Sequence, residues 1–133
     1  MSNMSDYLEA KVLGATLLGS PFTAPATVWV SLATSAATDG AVFNEVPVAT
    51  GYARQVIAFG APSDVGLSKQ VANTGLINFP TTTTPWGTVT HFGLYDSPTG
   101  GNQLYWGALT TARTIVTGDS PVVPISSITV TAG

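Results

Sequence analysis

From residue 25 onward, apolar residues recur at every second position in short runs, each closed by Gly, Pro, Asn or Asp. A period of two sends alternate side chains to opposite faces of a strand. Residues 27–34 (TVWVSLAT) put Val28, Val30 and Leu32 on one face and Trp29, Ser31 and Ala33 on the other. Residues 52–59 (YARQVIAF) alternate in the same way, and shorter runs at 69–72 and 75–79 flank Asn73 and Thr74. The strongest pattern is 86–109 (WGTVTHFGLYDSPTGGNQLYWGAL). It predicts a β-hairpin with arms at 87–95 and 103–109 and a tip at 97–102, where Gly100 and Gly101 supply positive φ. Residues 110–115 extend the sheet, 117–119 turn, and 120–123 and 126–131 close the fold. Residues 60–66 read as a turn. Residues 80–85, bracketed by Pro80 and Pro85, read as a loop or edge.

Ahead of the strands, residues 6–18 have helical spacing. Asp6 and Glu9 form a capping-box-like pair, and Leu8, Val12 and Ala15 recur on one face. Gly19 and Pro21 stop the helix. Gly14 weakens its interior by about 1 kcal/mol, so it needs a surface to dock on. The prediction is a mainly β domain, an antiparallel β-sandwich or a jelly-roll-like or barrel fold, with a short N-terminal α-helix. One domain spans 1–133, divided into a helical arm at 1–20 and a β-domain at 25–133. The connection at 35–50, with Val42, Phe43, Val46 and Val48 among polar residues, is too long for a tight turn and reads as an interaction element.

Composition narrows the function. Only 8% of residues are charged, against about 25% in ordinary soluble proteins. The net charge is −3, and Lys11, Arg54, Lys69 and Arg113 are scattered; nucleic acid, which needs a clustered basic face, is not an expected partner. Apolar runs are too short to span a membrane, and the N-terminus has no secretory signal. There is no cysteine for a disulfide or thiolate site. The one histidine, His91, has no second histidine to share a metal with. The carboxylates fall in no catalytic motif, and Asp96 suits a turn. The glycines at the tip precede a strand, not the helix a phosphate loop requires. No catalytic residue, cofactor or metal is expected, so the chain reads as a non-enzyme. Trp29, Trp86, Trp106, Tyr95, Tyr105 and Phe92 could line a sugar site, but large aromatics more often fill a β-core or an interface. Alternation puts Tyr105 and Trp106 on opposite faces.

Several segments together carry a family resemblance: SDYLEAKVLGATLLGSPFTAPATVWVSLATSAATD, Gly51-Tyr52-Ala53-Arg54-Gln55 with Phe59-Gly60-Ala61-Pro62, Asn73 to Pro80, and Trp86 to Asp96 with Thr99-Gly100-Gly101-Asn102. In this order, across residues 5–131, they resemble small virion structural proteins of tailed bacteriophages, whose members are often labelled tail fibre proteins. The hairpin also resembles a short motif of tail-collar domains. The resemblance implies a virion component made in the host bacterial cytoplasm. With a start Met and no stalk repeat, the chain is expected to be a complete, compact subunit, which favours a capsid cement or decoration protein. Such a protein would bridge subunits of the major capsid protein and associate with copies of itself. The alternative is a tail fibre, baseplate or collar component that contacts other tail proteins and serves host attachment, with sugar binding. Leu8, Val12, Val42, Phe43, Thr82, Thr83 and Trp86 are the candidate interface residues.

Overall fold

The computed structural model describes residues 2–35 and 44–132. Val42 and Phe43 lie outside the described residues. The chain opens with strand β1 (Ser2–Met4) and helix α1 (Asp6–Leu17). Strands β2 (Val28–Ala33), β3 (Gln55–Ile57), β4 (Ser63–Val65), β5 (Ser68–Ala72) and β6 (Ile77–Asn78) follow. The last four are β7 (Gly87–Tyr95), β8 (Gln103–Ile115), β9 (Val122–Val123) and β10 (Thr129–Ala132). All pairings are antiparallel. The main sheet runs β1-β8-β7-β2-β3, with smaller sheets β10-β5-β4 and β6-β9. The main sheet is open, ending in β1 and β3, so the fold is the layered antiparallel arrangement and not a closed barrel.

The alternation read from the sequence sets the layers. Register places Leu32 opposite Phe92 and Val30 opposite Leu94, and Leu94 opposite Tyr105. These residues join Ile57, Ile77, Phe79, Trp86, Ile128 and Val130 in one core between the main sheet and the small sheets. Tyr52, Phe79 and Trp86 form its aromatic centre. Tyr52 stacks on Phe79 at 6.1 Å between ring centroids, and Trp86 meets Tyr52 edge-on at 5.4 Å. Such contacts add about 0.5–1.5 kcal/mol each beyond area burial.

The predicted hairpin stands, with its first arm at the predicted bounds. Its second arm is longer, because 103–109 and 110–115 form one strand. That strand is irregular: Val89 pairs with Arg113 and His91 with Ala108, so residues 109–112 form a bulge opposite Thr90. Three other expectations change. Residues 63–65, read as part of a turn, are β4. Residues 2–4, too short to show a period, form β1 against Tyr105–Gly107. Of the 52–59 run, only 55–57 pairs as a strand.

The helix also departs from expectation. Its cap is Ser5, whose Oγ accepts the Leu8 amide at 3.3 Å, rather than Asp6. A hydroxyl is an equal or better N-cap, and it leaves Asp6 and Glu9 in the first turn, where the helix dipole favours acids. Ser5 also donates its hydroxyl to the Gln103 carbonyl, and its amide bonds Leu104 O at 2.9 Å, so the cap is stitched to β8. Leu8 is buried there, outside the main core, as is Leu104. The expected Leu8-Val12-Ala15 buried face is only partly formed: Val12 is half-buried and Ala15 exposed. Gly19 takes φ +69° as expected, and the Leu18 and Ser20 amides both bond Gly14 O.

Candidate functional site

The tip of the hairpin is the most strongly organised surface element. Asp96 ends the first arm. Its Oδ1 accepts the Asn102 amide at 2.8 Å and its Oδ2 accepts Asn102 Nδ2 at 3.1 Å, closing the loop on itself. Gly100 and Gly101 have φ of +59° and +71°. At Gly101 a Cβ would stand 2.5 Å from Asp96 Oδ1 and 2.6 Å from Ser97 Cβ, so only glycine fits without displacement. Pro98, Thr99, Gly100, Gly101 and Asn102 are all exposed.

A single cation holds this tip to the body. Arg54 lies just before β3, and its side chain is only 7% exposed. Its Nε and Nη2 donate to Glu45 Oε2 and Oε1 at 2.8 and 2.9 Å. Its Nη1 donates to the carbonyls of Ser97 at 2.9 Å and Gly100 at 2.8 Å. The guanidinium carbon sits 3.7 Å from the centroid of Tyr95. Planar stacking combined with a two-pronged carboxylate grip is a geometry that lysine cannot reproduce. Burial works against the charge of Arg54, but Glu45 outweighs it and the guanidinium pKa stands above its usual value. Glu45 Oε2 also accepts the Tyr52 hydroxyl at 2.5 Å, and that hydroxyl accepts the Leu32 amide at 3.1 Å. Burial first, then the Glu45 carboxylate, pushes the Tyr52 phenol pKa well above its usual value. The network therefore runs from the aromatic centre through Glu45 and Arg54 to the exposed tip.

Asn73 is a second tie point. It is buried between β5 and β6. Its Nδ2 donates to Gly75 O at 2.9 Å and Pro124 O at 3.0 Å, and its Oδ1 accepts the Ile128 amide at 2.9 Å. The segments that carry the family resemblance thus include the residues that fasten loops to the scaffold.

Among the described residues, the candidate interface positions do not gather into one surface. Leu8, Thr82 and Trp86 are buried within the chain itself, Trp86 at 4% exposure. Thr82 Oγ1 donates to Val116 O at 2.6 Å and Trp86 Nε1 to Thr50 O at 3.2 Å, so both hold residues 80–86 against the body. Thr83 is exposed and Val12 half-buried. The aromatics named for a sugar site divide between the two faces of the main sheet: register sets Trp29 opposite Tyr95 and Trp106 opposite Gly93 on the face away from the core, and the other three lie on the core side. Trp86 and Phe92 are core, Tyr105 packs on the core, and Arg54 lies over Tyr95. His91 Nδ1 lies 2.7 Å from Thr90 Oγ1. Among the described residues there is no group of three or more His, Cys, Asp or Glu able to hold a metal. The Arg54–Glu45 pair was missed in the sequence because a long connection precedes Glu45. The available signal was an arginine at an alternating position in a run whose only other polar side chain besides the Tyr52 hydroxyl is Gln55.

Polar side chains spent on fastening loops, around an aromatic core, define a structural β-domain whose exposed product is a shaped surface. The chain belongs to the family described as Podophage GP4 fiber I protein gp80, which it matches over residues 3–131. It is thereby a phage virion structural protein. No curated protein matches the chain.

Proposed function

We propose that this protein is a subunit of the tail fibre apparatus, acting by contact and not by catalysis. The match to a phage fibre family over residues 3–131 carries this reading. It favours the tail alternative over the capsid cement expectation, because the family's description speaks of a fibre. The structure supports a presenting role. The exposed tip at 97–102 is fastened at both Asp96 and Arg54, and a pre-organised element loses little entropy when it meets a partner. Its partners are other virion proteins, with the exposed tip and residues 80–85 as contact elements.

The test is the copy number and position of the protein in purified virions. A fibre subunit is present in tens of copies or fewer, is labelled at the tail by an antibody, and its deletion abolishes adsorption to the host. Hundreds of copies per head, with deletion particles that adsorb normally but lose DNA on heating or osmotic shock, would establish the cement role instead and overturn the proposal.

A further inference from the structure

We infer that copies of this chain associate head to tail, the outer face of α1 from one copy seating in the groove between β8 and β9 of the next. The inference goes beyond the placement in the virion.

The helix has two apolar faces. One carries Leu8 onto β8. On the side away from Leu8, Asp6, Ala10, Leu13 and Leu17 follow one another at helical spacing, flanked by Glu9. Leu13 and Leu17 are 56% and 75% exposed, and Leu18 beyond them 79%. A helix apolar on both faces is one meant to be covered on both.

The same chain carries a matching recess. Where residues 109–112 bulge from β8, a cleft of about 420 Å³ opens between β8 and the 121–129 segment. Leu109, Val122 and Val123 line it, with Phe79 and Ile128 at its floor. Arg113 stands at its mouth and, among the described residues, makes no ion pair. Asp119 lies in the adjoining cleft, but its Oδ2 already accepts the Val116 amide at 3.0 Å.

Charge selects this groove over a second helix. The apolar stripe begins in a turn bearing Asp6 and Glu9, and the helix has no basic residue in its last turn. Two helices side by side would oppose acid to acid if parallel. If antiparallel, each acidic turn would meet a turn with no cation. The groove offers Arg113 beside an apolar floor, which complements both the leucines and the acids. Such an interface uses different patches on the two copies, so it builds a ring if the rotation closes and a filament if it does not.

Two full-length variants test this. Leu13→Asp/Leu17→Asp removes the donor face, and Arg113→Glu/Val122→Asp spoils the groove. All four positions are exposed, so each variant is expected to keep the wild-type melting profile. By sedimentation velocity the wild type self-associates, each variant alone is monomeric, and an equimolar mixture forms a 1:1 complex that grows no further. Adding Glu9→Lys to Arg113→Glu recovers at least tenfold of the lost self-association. A wild type that stays monomeric at high concentration would overturn the inference. So would a groove variant that still self-associates, which is the mark of helix–helix pairing, or a mixture that stays monomeric. None of these outcomes bears on where the protein sits in the virion, so the fibre reading fails or stands separately.

Discussion

Arg54 and Glu45 meet through two parallel hydrogen bonds of 2.8 and 2.9 Å, and from this pair the guanidinium reaches two carbonyls of the hairpin tip. The geometry places one cation where Glu45, which bridges Ala33 of β2, and the approach to β3 nine residues later meet the β7–β8 loop, 43 and 46 residues further along the chain. In a chain with only four basic residues, one is nearly buried for this purpose.

Removing that cation should be costly. Breaking one side of a buried ion pair costs about 3–5 kcal/mol. Glu45 retains 23% exposure and can rehydrate, so the lower end applies: Arg54→Ala should lose about 3 kcal/mol. Arg54→Lys keeps the charge but loses the fork and the stack on Tyr95, and should lose about 1–2 kcal/mol. Urea denaturation measures both. Amide exchange at residues 97–102 should accelerate in each variant, and an unchanged tip would show that the Ser97 and Gly100 contacts do not fasten it.

The two tip glycines should respond differently to alanine. Both have positive φ, which costs a residue with a Cβ about 1–2 kcal/mol. Around Gly100 nothing lies within 4 Å of an added Cβ, so Gly100→Ala should lose only that amount. Gly101→Ala must also displace Ser97 and the Asp96 carboxylate that holds Asn102. Its loss should be greater by at least about 1.5 kcal/mol, the lower end for one hydrogen bond to a charged group. Equal melting temperatures for the two variants would contradict the crowding seen at Gly101.

Asn73 offers a test at the second tie point. Asn73→Ala leaves the buried Ile128 amide without its acceptor and the Gly75 and Pro124 carbonyls without their donor. An unsatisfied buried group costs about 1–3 kcal/mol, so a loss of about 2–3 kcal/mol is expected in chemical denaturation. Proteolysis should then cut within 121–128 before it cuts the hairpin.

How legible these features were in the sequence follows from their range. The hairpin was legible because its signal is local: alternation in 87–95, a glycine pair and a polar tip. Strand β1 was not, because three residues cannot show a period, and its pairing is fixed by Ser5 bonding to β8 about a hundred residues away. Trp86 looked available as an interface residue because it follows a proline-bracketed loop; its burial arises from Tyr52 and Phe79, neither adjacent in the chain. The same holds for Arg54. Its role depends on a carboxylate and two carbonyls supplied by other segments, and no spacing rule encodes that. Even the cap lies one residue earlier, at Ser5, which bonds both the helix and β8.

The alkaline limb of stability should report the aromatic end of the network. Tyr52 titrates above the ordinary tyrosine value because it is buried and donates to Glu45, and burial also raises Tyr95 and Tyr105. In the unfolded chain each phenol ionises near its ordinary pKa of about 10. Below that pH both states are protonated, and the stabilisation is fully present. Above it the unfolded state releases protons that the folded state keeps, so stability falls as pH rises from about 10 towards the raised folded values. Melting temperature should therefore hold steady up to about pH 10 and then drop. Phenolate absorbance from Tyr52 should appear only together with unfolding. Tyr52→Phe should lower stability at neutral pH by about 1–3 kcal/mol, since Glu45 and the Leu32 amide lose their partner. It should also make the alkaline decline shallower. A decline of unchanged slope in Tyr52→Phe would assign the alkaline sensitivity to the other phenols and break the link between Tyr52 and Glu45.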